Sequence, residues 1–162
     1  RITNRRWALS AYGTASAAAL TSADTVYSWT SLQHPTGLLV SVSGALAGGA
    51  RLAMAHGFDA PAFWGEIRRY GATVVFYAGI MLRELVDAPH DVAERKHPVR
   101  LFAGSGMPRP LWRRVVERFG PVDVLEFYAT TEGNAILANV SGKKVGSCGR
   151  PIPGSAAVRV AA

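Results

Sequence analysis

Residues 99–128, VRLFAGSGMPRPLWRRVVERFGPVDVLEFY, decide the fold. Val99–Ala103 is a short, mainly apolar run that reads as a strand. The Gly104–Pro108 turn breaks it. In the following Pro108–Phe119 segment Leu111, Val115 and Val116 recur at helical spacing, while Arg113, Arg114, Glu117 and Arg118 fall mostly on the outer side. Gly120-Pro121 stops that helix, and Val122–Tyr128 is the next strand. Two strands joined by a crossover helix lie parallel in one sheet.

Working outward from this unit, the alternation repeats. Trp7–Leu20 predicts a helix weakened by Gly13, and Ser22-Ala23-Asp24 a turn. Thr25–Trp29 predicts a strand, Gly37–Leu46 a buried helix stopped by Gly48-Gly49, and Ala50–Ala55 a strand. Asp59 is placed to cap a helix running to Tyr70, with Pro61 just inside it and Phe63, Ile67 and Tyr70 on one face. Gly71 closes that helix. Thr73–Tyr77 is a strand, Ile80–Val86 a helix and 87–98 a polar loop. The fold class is therefore α/β: a mainly parallel sheet with helices on both faces, built from strand–helix–strand repeats and followed by a short β element. The division expected is 1–135 for the α/β part and 136–162 for the start of the small β element, where the texture shifts to short strands and Gly/Pro turns.

Composition narrows the class. The chain has 162 residues, 49% hydrophobic and 18% charged, an ordinary balance for one domain with a real core. The net charge of +7 suits a solvated basic surface or polyanionic small ligands. The basic residues are scattered rather than interleaved with aromatics in a stripe, so a nucleic-acid partner is not expected. The single cysteine, Cys148, has no partner for a disulfide or a Cys-rich metal site, which fits a reduced, cytoplasmic setting. Residues 25–50 carry no Asp, Glu, Lys or Arg, yet Gln33, His34, Pro35 and several glycines and serines interrupt them. They read as strand, loop and helix rather than a membrane span, although a peripheral membrane contact through one apolar face stays open. With no starting Met and an apolar run at the end, both termini are expected to be cut from something larger.

In open α/β sheets ligands bind beyond the carboxyl ends of the strands, which selects three loops. Gly104-Ser105-Gly106-Met107-Pro108 lets backbone approach a ligand, and its N–H groups at a helix start suit an anion or an aromatic edge; the plainer alternative is a tight strand-to-helix turn. Tyr128-Ala129-Thr130-Thr131-Glu132-Gly133-Asn134 gathers an aromatic face for stacking, hydroxyls for a phosphate and a carboxylate for Mg2+; the alternative is a Thr/Gly turn with a capping Glu. Thr30–Gly37 carries His34 ahead of a buried helix, a pocket-lining or simply structural histidine. His34, His56, His90 and His97 lack metal-ligand spacing, and no serine stands in Gly-x-Ser-x-Gly.

These residues together resemble a known family. Phe127-Tyr128-Ala129-Thr130-Thr131-Glu132-Gly133-Asn134 resembles the Tyr-Gly-x-Thr-Glu signature of the adenylate-forming enzymes, and its Thr-Glu-Gly-Asn ending is most similar to the long-chain and very-long-chain acyl-CoA synthetases and fatty-acid transport proteins. Gly104–Pro108 resembles their adenine loop, Leu32–Gly37 the loop that opens the acyl pocket, and Val145–Gly154 the segment after the Thr-Glu motif. The resemblance implies an ATP-dependent ligase that activates a fatty acid as acyl-AMP and passes it to CoA. It implies that Tyr128 stacks on adenine, Thr131 bonds the α-phosphate and Glu132 binds Mg2+. Gly104, Ser105 and Gly106 would frame the adenine, and His34 and Gly37 would border the acyl chain.

Two departures qualify this. Ala129 stands where the family has Gly. The phosphate loop ending in Lys, the downstream Tyr-x-Thr-Gly-Asp run, the hinge and the C-terminal catalytic Lys are all outside these 162 residues, which are expected to be a central slice of the large N-terminal domain and inactive alone. The competing expectation is a non-catalytic α/β module that binds a nucleotide or a partner.

Overall fold

The computed structural model describes residues 3–130 and 136–152. Helix α1 (Asn4–Ala17) leads to β1 (Thr25–Ser28), then a π-helical segment (Thr36–Val42) that runs directly into α2 (Ser43–Gly48). There follow β2 (Arg51–Met54), α3 (Ala60–Tyr70), β3 (Val74–Ala78), α4 (Gly79–Asp87), β4 (Leu101–Ser105), α5 (Arg109–Phe119), β5 (Asp123–Ala129), β6 (Ile136–Asn139) and β7 (Arg150–Pro151).

The strands form one seven-stranded sheet in the order β2-β1-β3-β4-β5-β6-β7. The first five are mutually parallel, as the strand–helix–strand repeats require; β6 and β7, the short β element expected after residue 135, add on antiparallel through β5. Side chains alternate across the sheet. Val75, Tyr77, Phe102 and Val124 point to one face, where Phe63, Trp64, Leu82, Leu111, Trp112 and Phe119 from α3, α4 and α5 cover them. Val26, Val74, Phe76, Leu101 and Leu125 point to the other, under Ala18, Leu20 and Ala45.

Local rules explain most boundaries. Asp59 caps α3, its Oδ1 accepting from Ala62 N at 3.3 Å, and Gly71 ends that helix in the left-handed region at φ 59°. Helix α1 begins before Trp7 because the Thr3 hydroxyl accepts from Arg6 N at 3.2 Å. The buried helix expected from Gly37 is π-wound over its first seven residues, with Ser41 Oγ donating to the Thr36 carbonyl at 3.1 Å.

Two assignments of facing change, at Tyr70 and Arg118. Tyr70 is exposed, with the Arg69 guanidinium over its ring. Trp64 and Trp112 are core residues. Arg118, expected to face outward, is drawn inward by the buried Glu94. Among the described residues no helix is long and apolar enough to cross a membrane.

Candidate functional site

Because β1 to β5 are parallel, their carboxyl ends share one rim. The best-defined part of that rim lies over β3, β4 and β5. Strand register places Tyr77, Gly104 and Glu126 side by side in one row. Glu126 is buried on the helix-covered face among apolar neighbours, so its carboxylate needs partners. It has three: Gly106 N donates to Oε1 at 2.7 Å, Met107 N to Oε1 at 3.1 Å, and the Tyr77 hydroxyl to Oε2. Burial, then the Glu126 charge and the hydrogen bond to it, push the Tyr77 hydroxyl far above the ordinary phenol range, so it remains a donor.

Tyr77 reaches Glu126 by crossing the intervening strand at Gly104. A Cβ on Gly104 would overlap the Tyr77 carbonyl and stand 2.8 Å from Tyr77 Cγ. One strand end further up, Gly79 and Gly106 touch through backbone alone: a Cβ on Gly79 would overlap the Gly106 carbonyl, and Gly106 itself has φ +93°. The glycines of this turn therefore serve first to let two strand ends and a tyrosine ring close on one another.

Two expectations for the glycine loop are corrected here. Gly104 and Ser105 are the last residues of β4 rather than loop, since the strand is offset two residues from the expected start at Val99. The N–H groups of Gly106 and Met107, expected to be free for an anion, are taken by the Glu126 carboxylate. What the turn leaves open to a ligand is the exposed Ser105 and the surface of Gly106.

Tyr128 is the penultimate residue of the adjacent strand. It lies on the same face as Glu126, two residues on, pairs in register with Leu137 and is 47% exposed, which leaves an aromatic surface at the rim beside the Ser105–Gly106 turn. Thr131 and Glu132, the residues expected to meet phosphate and Mg2+, lie outside the described residues. Among the described residues no three His, Cys, Asp or Glu side chains are grouped to hold a metal ion.

His34 and Gly37 follow β1, on the same rim but two strands from β4, a separation of about 10 Å. His34 is exposed, and its Nδ1 accepts from Thr36 N at 3.2 Å, a local bond at the start of the π-helical segment. Gly37 is buried against the preceding loop, where a Cβ would overlap the Ser31 carbonyl. The rim thus brings Gly104, Ser105, Gly106 and Tyr128 together, and holds His34 and Gly37 as a second group to one side.

The sequence reading missed Tyr77, Gly79 and Glu126. A signal existed: a carboxylate flanked by Leu125 and Phe127 in an apolar central strand demands buried partners. Elsewhere, a shallow depression lined by His90, Glu94, Arg95, Arg114 and Arg118 sits by the last turns of α4 and α5, at the sheet's amino end and away from the rim.

Comparison with known proteins gives a consistent picture. A family model described as "AMP-binding enzyme" matches residues 2–161. The chain is 36% identical over 141 residues to Long-chain fatty acid transport protein 2 of Rattus norvegicus, covering 86% of this chain and 23% of that one. It is 37% identical over 141 residues to the Medium/long-chain-fatty-acid–CoA ligase FadD6 of Mycobacterium tuberculosis, covering 86% of this chain and 24% of the relative. An O-succinylbenzoate coenzyme A synthetase from Bacillus subtilis, solved in complex with AMP, superposes with a TM-score of 0.73 at 23% identity, over 93% of this chain and 31% of that one; it supports the fold. The chain spans about a quarter of the length of the curated relatives it matches.

Proposed function

The chain belongs to the AMP-binding enzyme family, and from that premise we propose that it forms the adenine-side floor of an ATP-dependent acyl-CoA synthetase acting on fatty acids. In the proposed reaction a carboxylate attacks the α-phosphate of ATP, giving acyl-AMP and pyrophosphate, and the CoA thiol then displaces AMP. The observation that carries the reading is the adjacency of Tyr128 and the Ser105–Gly106 turn at the carboxyl ends of β4 and β5, in a chain 37% identical to a fatty-acid–CoA ligase over most of its length.

The available groups fit an adenine. Tyr128 offers a half-exposed ring to stack on, and Ser105 and Gly106 offer a polar edge with no bulky side chain. They do not supply a phosphate cradle, because Glu126 occupies the two N–H groups that could have made one. The phosphates are therefore assigned to Thr131 and to parts of the enzyme outside this chain, and Mg2+, arriving with ATP, to Glu132. His34 and Gly37 border the acyl chain at the β1 side of the rim. We assign the enzyme to the cytoplasm, with peripheral membrane contact, and assign no catalysis to these 162 residues alone.

The test is ATP–pyrophosphate exchange by the full-length enzyme with a series of fatty acids, together with calorimetric titration by a non-hydrolysable acyl-AMP mimic. Exchange that depends on the fatty acid, and mimic binding weakened by Tyr128→Ala, support the reading. A folded enzyme that binds the mimic but shows no exchange with any carboxylic acid returns the alternative of a non-catalytic nucleotide-binding module.

A further inference from the structure

We propose that Glu126 is a positioning residue that fixes the width of the adenine slot by tying the turn after β4 to the end of β5. The inference rests on the functional reading above. Glu126 stands two residues before Tyr128 on the same strand and face, so its backbone moves with the ring assigned to adenine. Its side chain crosses to the neighbouring strand end and takes Gly106 N and Met107 N on one oxygen, at 2.7 and 3.1 Å. The other oxygen accepts from Tyr77 on β3. One carboxylate thus pins three consecutive strand ends, and the two sides of the proposed slot are separated by the reach of this one side chain.

Glu126 is itself buried and faces the core, so it does not touch the nucleotide. Its role is reach, not charge, and this distinction is testable. Glu126→Gln keeps the length and an acceptor oxygen for the two N–H groups. Glu126→Asp keeps the charge but is shorter by one bond, about 1.5 Å, and cannot hold both the turn and Tyr77. Tyr77→Phe removes one donor and leaves the turn attached.

In the full-length enzyme, KM values for ATP, fatty acid and CoA are measured for each variant beside the thermal midpoint. Glu126→Asp is expected to raise KM for ATP about tenfold while the KM values for acid and CoA stay within about twofold. Glu126→Gln should stay within about threefold for ATP, and Tyr77→Phe should raise KM for ATP about threefold. If Glu126→Asp does not fold, the last two variants decide: an unchanged KM for ATP in Tyr77→Phe overturns the inference. An active wild type in which Glu126→Asp binds ATP normally, or in which all three KM values rise together, also overturns it and leaves the functional reading standing. A folded wild type with no exchange activity overturns the functional reading, and the inference with it.

Discussion

Arg118 Nη2 lies 2.8 Å from Glu94 Oε2, and the same guanidinium closes the end of a helix that neither residue belongs to. Its Nη1 donates to the Val86 and Ala88 carbonyls at 2.6 and 2.8 Å, and Nη2 to the Pro89 carbonyl at 2.9 Å. A cation from α5 thus satisfies one of the last carbonyls of α4 and the two that follow the helix, where the helix dipole favours positive charge. Both side chains are buried, at 11% and 7% exposure.

Breaking this pair from one side leaves buried Glu94 without its guanidinium, with only His90 and Asp91 N still bonded to it. Arg118→Ala is expected to destabilise the chain by about 3–5 kcal/mol, against under about 1 kcal/mol for the half-exposed Arg114→Ala, which loses its ion pair with Asp87 and a long 3.5 Å contact to the Val86 carbonyl. Urea unfolding of the two variants beside wild type checks the contrast.

The same pair sets an acid limit. Burial alone would raise the Glu94 carboxyl, but hydrogen bonds from Arg118, His90 and Asp91 N outweigh it and hold the group at about 2, below its ordinary 4.5. With the folded value depressed, the unfolded chain binds the proton more tightly. The Glu94 contribution is therefore full above pH 4.5 and is lost as pH falls through about 2. The difference in unfolding free energy between wild type and Glu94→Gln should be constant from pH 7 to about 5 and shrink toward pH 2.

Asp24 is the equivalent anchor on the other face of the sheet. It accepts from Arg100 Nε and Nη2 at 2.9 and 3.0 Å, from Thr73 Oγ1 at 2.8 Å and from Thr21 N at 3.0 Å. The Arg100 hydrogen bonds, outweighing burial, hold its carboxyl well below the usual range. Asp24→Ala should cost about 3 kcal/mol or more, and Thr73→Val, which removes one neutral donor, about 1 kcal/mol. A double-mutant cycle with Arg100→Met should return a coupling between Asp24 and Arg100 larger than that between Asp24 and Thr73.

Two glycines of similar appearance in the sequence should behave in opposite ways. Gly65 sits within α3 with nothing within 4 Å of an added Cβ, so Gly65→Ala should stabilise by up to about 1 kcal/mol. Gly104→Ala must displace the Tyr77 ring or the Tyr77 backbone, and should destabilise by about 1–3 kcal/mol. Thermal midpoints of the two variants moving in opposite directions is the expected outcome.

Glu132, outside the described residues, carries its own prediction. If Glu132 binds Mg2+ and does not cap a helix, Glu132→Gln should reduce fatty-acid-dependent turnover of the full-length enzyme by at least about 100-fold with its thermal midpoint unchanged. A loss of stability near 1 kcal/mol with turnover retained would return the capping role.

The order of strands and helices was legible because period and punctuation agree: the apolar runs at 74–77 and 123–128 and the Asp59, Gly71 and Gly120 boundaries each follow from local chemistry. The lateral arrangement was not. Nothing local says that β1 sits between β2 and β3, or that Tyr77 and Glu126, 49 residues apart, share one hydrogen bond across Gly104. The same blindness misassigned Arg118, whose place on the outer side of an isolated helix is correct until Glu94 is folded beneath it. Motif reading found Gly104, Ser105, Gly106 and Tyr128 as neighbours at the rim, but took the N–H groups of Gly106 and Met107 as free because their acceptor comes from another strand.

The backbone contact between Gly79 and Gly106 also divides the rim by what inheritance can alter. At Gly79 and Gly104, over β3 and β4, an added Cβ would overlap backbone, so a lineage can change these positions only by shifting the strand ends. Over β1 and β2 the turns are permissive: Leu32, Gln33 and His56 are exposed, and Gly57 has open space around it. New preferences can accumulate at that side by single substitutions while the opposite side is passed on intact, so that divergence among descendants of this fold is channelled into one half of its binding edge.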